Sequence, residues 1–114
     1  MRLAADLYRA CQDFPASERY ALGRELWRSV LSVPSNIAEG AARGSKPELV
    51  RFLLIARGSL LELDTQLWLA FELGFVADRQ PWTARIATLL AKLNALITAE
   101  RRRAGQRSLT TIRD

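Results

Sequence analysis

The chain has 114 residues, 49% of them hydrophobic, and a formal net charge of +5, which fits one globular domain rather than a disordered tail. It contains no histidine and a single cysteine, Cys11. A Ser-His-Asp triad, a histidine general base, an internal disulfide and the common zinc sites are therefore excluded. We expect a protein that is not an enzyme and that holds no metal and no cofactor.

The sequence also indicates where the protein resides. Charges at Arg2 and Asp6 interrupt the N-terminus before an apolar run builds up, so no signal peptide is expected. The longest apolar run, residues 52–56, is far too short to cross a membrane. We expect a cytoplasmic protein that does not engage a membrane.

The first half of the chain predicts two helices from the spacing of its apolar residues. The first covers about residues 2–12 and ends near Phe14-Pro15. The second begins at Pro15, keeps one apolar face as far as Ile37 and ends at Gly44. Pro34 lies inside this helix, where its missing N–H predicts a kink or a break.

The second half predicts two more helices. Ser45-Lys46-Pro47-Glu48 is a capping box that opens the third helix, and Gly74 ends it. The fourth helix begins between Asp78 and Pro81 and ends in a run of arginines at 101–103. The expected fold is an all-α, up-down four-helix bundle with a second helix kinked at Pro34. It forms a single domain over residues 1–103, followed by a loose basic C-terminal tail at 104–114.

The third helix has one apolar face, which we call the seam, whose residues alternate steps of four and three: Leu49, Leu53, Ala56, Leu60, Leu63, Leu67, Ala70 and Gly74. The helix has more apolar surface than this seam needs. Outside the seam, a second row recurs every seven residues, which is nearly two helical turns. We call it the outer stripe; it consists of Leu54, Leu61, Trp68 and Phe75. Either the first or second helix covers the outer stripe, or other subunits do. The shortness of the chain favours a homo-oligomer with the outer stripe in its interface.

Arg57 lies among leucines on the same helix and is assigned to the same interface. If it is buried it needs a carboxylate partner, for which Glu39 and Glu62 are the candidates. The alternative is that its guanidinium reaches out to water.

The basic residues carry the remaining chemistry. A solvated charged face and an anionic partner, chiefly nucleic acid, explain them about equally well. No aromatic residues interleave with the arginines, so any contact is expected to be with phosphates and to depend on salt. The candidate nucleic-acid-binding residues are Arg24, Arg28, Arg43, Lys46, Arg51, Arg101, Arg102 and Arg103. A protein-interaction scaffold with no direct nucleic-acid role is the alternative function.

A family resemblance runs from about Leu7 to Phe75. Its elements are Phe14-Pro15 followed by Glu18-Arg19-Tyr20, then Ser32-Val-Pro-Ser-Asn-Ile-Ala-Glu-Gly40, Arg51-Phe52-Leu53 and Ala56-Arg-Gly-Ser-Leu-Leu-Glu-Leu63. In order and spacing these segments resemble the four-helix-bundle family of 23S ribosomal RNA intervening-sequence proteins. The chain is also similar to the accessory proteins of diversity-generating retroelements.

The resemblance implies a four-helix protomer in a barrel-like homopentamer with a positively charged surface. In the retroelement branch it implies binding to a reverse transcriptase and to nucleic acid, and it implies no enzyme activity. The residues that match the family motif, and for which structural or subunit-contact roles are expected, are Asn36, Glu39, Arg57, Ser59 and Glu62. The arginines at 101–103 lie outside the motif.

Overall fold

The computed structural model describes the backbone of residues 2–113 and the side chains of residues 2–105. This part of the chain forms four helices and no strand, as the periodicity predicts. Helix α1 is Arg2–Cys11. Helix α2 begins with a short α-helical turn, Ala16–Glu18, passes through a π-helical segment, Arg19–Gly23, and continues as Arg24–Ala42. Helix α3 is Lys46–Glu72 and α4 is Gln80–Arg113.

Short turns of the predicted kind connect the last three helices. Ser45 caps α3 by accepting a hydrogen bond from the Glu48 N–H at 3.2 Å, and Gly44 before it has φ +78°. At the other end of α3, Gly74 has φ +81°, and the Phe75 N–H returns to the Ala70 carbonyl at 2.9 Å. This is the closing bond of a Schellman motif, in which glycine adopts the left-handed conformation without strain. Consecutive helices therefore run in opposite directions.

The core lies along the faces that the sequence predicts. The seam of α3 is buried from Leu53 to Ala70, whereas Leu49 is half-buried and Gly74 lies exposed beyond the end of the helix. Helices α2 and α4 both pack on α3. Helix α1 packs on α2, and its Asp6 pairs with Arg85 of α4 at 2.9 Å, which joins the first and last helices. The largest fully buried side chains are Leu7, Leu26, Val30, Leu53, Leu60, Leu63, Leu67, Ile86 and Ile97.

Helix α2 departs from the predicted geometry at a different place from Pro34. The segment Arg24–Ala42 is one uninterrupted helix with Pro34 inside it, so the chain does not break there, and a kink at Pro34 stays a prediction. The irregular part is the π-helical turn at Arg19–Gly23, which no sequence pattern indicates. A π turn holds one residue more than an α turn and is frequent at functional sites.

Helix α4 is longer than its apolar periodicity indicates. Its backbone stays helical to Arg113, past the predicted end of the domain at residue 103. Side chains beyond residue 105 lie outside the described part, so the division into a domain at 1–103 and a tail at 104–114 stays a prediction.

Helices α2 and α3 lie close together at Gly40. A Cβ atom placed on Gly40 would lie 2.7 Å from the Phe52 Cβ and 3.3 Å from the Leu49 Cδ1. The Phe52 Cβ is attached directly to its backbone, so relief requires α3 to move away from α2. Only glycine fits at this position.

We predict that Gly40→Ala lowers the free energy of unfolding by about 1–3 kcal/mol, because it overpacks the contact between α2 and α3. Urea denaturation followed by circular dichroism measures the change. The matched control is Gly58→Ala on α3, since nothing lies within 4 Å of the added Cβ. Helix propensity predicts that Gly58→Ala stabilises the protein by up to about 1 kcal/mol. Equal effects of the same sign in both variants would contradict the close approach.

Candidate nucleic-acid interface

The fold gathers six of the predicted cations at one end of the bundle. Here the end of α2, the first turns of α3 and the turn of α4 around Glu100 come together, joined by the ion pair between Lys46 Nζ and Glu100 Oε2 at 3.0 Å. The sequence predicts that Arg43, Lys46 and Arg51 cluster around the junction of the second and third helices, but it does not indicate that the arginines at 101–103 lie at the same end. We call them the junction cluster, which consists of Arg43, Lys46, Arg51, Arg101, Arg102 and Arg103.

The ring of Phe52 lies against two of these arginines. The guanidinium carbons of Arg43 and Arg51 lie 5.2 and 4.5 Å from the centre of its ring, within the range of cation–π attraction. Each arginine also pairs with a glutamate on its own helix, Arg43 with Glu39 at 2.8 Å and Arg51 with Glu48 at 3.1 Å. The hydrogen bond from Arg51 lowers the pKa of Glu48 below its ordinary value. Both guanidiniums are thus positioned before any ligand arrives.

Glu100 ties α4 to the start of α3. The residue is buried, with 3% of its surface exposed, and it pairs with Lys46 across the helix interface and with Arg103 on its own helix. The close contact with Lys46 and the positive charges of Lys46 and Arg103 lower the pKa of Glu100, and they outweigh its desolvation, which acts in the opposite direction. Lys46 is therefore committed to this contact, with 28% of its side chain exposed.

The junction cluster keeps a positive surplus after these pairings. Its six cations face three carboxylates, Glu39, Glu48 and Glu100, which leaves three positive charges in excess. Arg101 and Arg102 are exposed and form no ion pair with a residue in the described part of the chain. They are the members of the cluster most open to an anion.

Arg24 and Arg28 lie elsewhere. At 1.5 Å per residue, α2 separates Arg24 from Arg43 by about 28 Å. Arg28 pairs with Glu25 at 3.5 Å, whereas Arg24 is exposed and lines a separate cleft. The eight predicted cations therefore do not form one continuous patch.

The cleft beside Arg24 contains aromatic residues, so the interpretation that none interleave with the arginines is wrong. The ring centres of Tyr8 on α1 and Trp27 on α2 are 5.2 Å apart, and Tyr20 in the π-helical turn is 84% exposed. All three line the cleft together with Arg19 and Arg24. A signal was present in the sequence, because Tyr20, Arg24 and Trp27 follow helical spacing, whereas Tyr8 joins them only through the packing of α1.

The outer stripe is covered at its ends and open in its middle, and its last residue, Phe75, lies beyond the end of α3 at Glu72 rather than on the helix. Leu61 and Trp68 are 50% and 54% exposed, while Leu54 and Phe75 are half-buried against the core. The chain itself supplies some of that cover, since the rings of Phe14 and Phe75 are 5.5 Å apart. Further large apolar side chains are exposed on or next to this helix: Ile55, Leu69, Phe71 and Leu73. That a second subunit covers them stays a prediction.

Arg57 has a partner, but not one of the two carboxylates that the sequence suggests. It is half-buried and donates a hydrogen bond from Nη1 to Asn94 Oδ1 on α4 at 3.1 Å. Glu39 pairs with Arg43 instead, and Glu62 accepts a hydrogen bond from Gln66 at 3.3 Å. Arg57 therefore cross-links α3 and α4 within the protomer.

Two other motif residues join α2 to α3. The Ser32 and Ser59 hydroxyls are 2.7 Å apart, and Asn36 Nδ2 donates to the Ser32 Oγ at 2.9 Å and to the Ser32 carbonyl at 2.7 Å. These polar groups satisfy one another between two otherwise apolar helix faces. Within this chain they connect α2 to α3.

The described residues contain no cluster of three or more histidine, cysteine, aspartate or glutamate side chains able to hold a metal ion. Cys11 is buried, and its desolvation raises the pKa of the thiol to about 11. Within the same part of the chain, no helix is both long and apolar enough for a membrane span.

We predict that Glu100→Gln destabilises the protein at neutral pH, because it leaves Lys46 without its carboxylate. The lowered pKa of Glu100 stabilises the fold above the ordinary pKa of a glutamate, and this contribution disappears as the pH falls through the folded value. Urea midpoints measured between pH 7 and pH 3 should therefore converge for the wild type and Glu100→Gln at the acidic end. Glu25→Gln, which removes an exposed glutamate paired at 3.5 Å, is the control and should change the midpoint little. A constant difference at every pH would contradict the assignment.

Comparison with known proteins identifies one family. The family model described as 23S rRNA-intervening sequence protein matches residues 1–99, which is most of the chain. The match ends one residue before Glu100, so the three arginines of α4 in the junction cluster lie outside it. No curated protein matches the chain at a significant level.

Proposed function

The chain belongs to the 23S rRNA-intervening sequence protein family, and we propose that it is a non-enzymatic, oligomeric helical bundle that binds RNA through arginine side chains. The observation that carries this proposal is the junction cluster, where three helices bring six cations together with a surplus of three positive charges. The family description supports an RNA-related role. Arginine favours phosphate because its planar guanidinium donates two parallel hydrogen bonds.

The members of the junction cluster differ in whether they already have a partner within the chain. Lys46 and Arg103 hold the buried Glu100, and Arg43 and Arg51 rest on Phe52. Arg101 and Arg102 remain exposed next to them. We therefore assign the principal phosphate contacts to Arg101 and Arg102, with Arg43 and Arg51 as positioned neighbours. Arg24 and Arg28 form a second, separate contact region on α2.

We predict that the double variant Arg101→Gln, Arg102→Gln weakens RNA binding for all sequences alike, because phosphate contacts carry no base information. The dependence of log affinity on log salt should flatten by about 0.7–0.9 for each phosphate that the variant no longer neutralises. Fluorescence anisotropy titrations at several salt concentrations measure both quantities.

The matched control for this pair is Arg2→Gln, Arg9→Gln, which removes the same charge from exposed positions on α1. It should retain most of the affinity and the wild-type salt slope. Equal reductions of affinity in the two double variants would mean that net charge matters and the junction cluster does not.

We further propose that the protein assembles with copies of itself through the outer stripe, into the homopentamer that the resemblance implies. The exposed middle of the outer stripe, Leu61 and Trp68, lies beside other exposed apolar side chains on α3. Apolar patches of this kind mark association surfaces in soluble proteins. Assembly would repeat the junction cluster in every subunit and so raise the local positive charge.

We predict that Trp68→Glu or Leu61→Glu converts the oligomer to a monomer, because a charge would have to be buried in the interface. Light scattering after size exclusion measures the mass, and circular dichroism verifies that the helices persist. Leu96→Glu on α4, at a side chain that is 39% exposed, is the control and should keep the oligomeric mass. A wild-type protein that is already a monomer would contradict the proposal.

The same exposed apolar surface favours a second candidate function, a protein-interaction scaffold without a nucleic-acid role. A reverse transcriptase or another protein would then occupy the surface. An oligomer that does not bind RNA at low or at moderate salt would favour this alternative.

A further inference from the structure

A cleft of about 240 Å³ lies between α1 and the π-helical turn of α2, far from the junction cluster. Tyr8 and Trp27 stand at a tilt of 58° to each other on its wall, and the exposed Tyr20 stands at its edge. We call it the aromatic cleft. Its volume is below the roughly 300 Å³ at which sites for drug-sized ligands begin, so it fits one ring system and leaves the rest of a larger ligand outside.

The polar groups of the aromatic cleft favour an anion with a flat ring. Arg19 and Arg24 line it, no carboxylate of the described residues does, and neither arginine forms an ion pair with a described residue. The hydroxyls of Tyr8 and Tyr20 and the indole N–H of Trp27 form no hydrogen bond to the described part of the chain. Aromatic faces, unused donors and two guanidiniums are thus brought together in one place.

The π-helical turn positions two of these groups. Arg19 and Tyr20 are its first two residues, and Arg24 follows it directly. Gly23, which ends the turn, is buried, and a Cβ atom there would lie 3.7 Å from the Cys11 Cβ of α1. The absence of a side chain at Gly23 keeps the inner part of the cleft open between the two helices.

We propose that the aromatic cleft receives one unstacked base of a single-stranded RNA, with the adjoining phosphates on Arg19 and Arg24. The base stacks on Tyr20 and against the wall formed by Tyr8 and Trp27. This inference rests on the proposed function and adds a preference for single strands to it. In a duplex the bases are stacked and paired, whereas a base in a single strand turns out onto an aromatic surface at little cost.

The test compares three RNA probes: a 12-nucleotide oligo(U), the same strand with abasic positions throughout, which carries the same charge, and a duplex RNA. Tyr20→Ala removes the exposed ring and Tyr20→Phe retains it. Tyr20 is 84% exposed, so neither change disturbs the core. Arg24→Gln removes one phosphate contact and leaves the rings in place.

We expect Tyr20→Ala to weaken oligo(U) binding by about five- to a hundredfold, because one base no longer stacks, while the salt slope stays at its wild-type value. Tyr20→Phe should retain wild-type affinity, and Tyr20→Ala should not alter binding of the abasic strand or the duplex. Arg24→Gln should instead flatten the salt slope by about 0.7.

Other outcomes overturn the proposal in distinguishable ways. If no probe binds the wild type, the proposed function itself fails. If oligo(U) binds but Tyr20→Ala equals the wild type, or weakens the duplex and abasic strands to the same extent, the aromatic cleft takes no base and the proposed function stands. If Tyr20→Ala changes the oligomeric mass, a second copy of the chain occupies the cleft, and the base proposal is wrong.

Discussion

The close approach of Gly40 and Phe52 is the constraint on which the arrangement of this protein depends. Because Gly40 has no side chain, α3 approaches α2 closely enough for Phe52 to be buried with 8% of its surface exposed. Phe52 in turn supports Arg43 and Arg51. One missing Cβ atom thus sets both the spacing of two helices and the position of two surface charges. Packing and electrostatics at this end of the bundle cannot be varied independently.

Polar side-chain contacts between the helices add further constraints to the one set by Gly40 and Phe52. Glu100 with Lys46 joins α4 to the start of α3, Arg57 with Asn94 joins the same helices further along, and the serine pair joins α2 to α3. Apolar helix faces slide and rotate against each other at modest cost, whereas such paired groups are satisfied at one relative position. We attribute the register of the helices to these polar pairs. The leucine-rich seam supplies most of the free energy that holds the helices together.

Prediction from the sequence succeeds where the determining interactions are local. The helical faces follow from apolar spacing, and the start of α3 follows from the residue that caps it, since the Glu48 N–H donates a hydrogen bond to the Ser45 hydroxyl. Interactions between distant segments are harder to foresee. The partner of Arg57 proves to be Asn94, 37 residues further along the chain, and a guanidinium among leucines indicates only that some acceptor is needed.

The candidate site likewise combines local features, which the sequence indicates, with contacts between distant segments, which it does not. Its cations can be named individually from the sequence, but their separation into a junction cluster and a second region on α2 depends on the antiparallel course of the helices. The aromatic cleft is only partly indicated by the sequence: Tyr20, Arg24 and Trp27 follow helical spacing, but the α1 wall joins them only through packing, and no spacing in this sequence indicates the π-helical turn. The proline that attracts attention instead, Pro34, lies in a continuous helix.

Cys11, the single thiol, can report when α1 separates from α2. It is buried where α1 meets α2, and its high pKa keeps it protonated at neutral pH. Alkylating reagents attack thiolates, so the thiol is labelled slowly in the folded chain and faster when α1 detaches or the bundle unfolds. The labelling rate of the native chain, compared with that of the unfolded chain, therefore reports on this opening with no introduced probe.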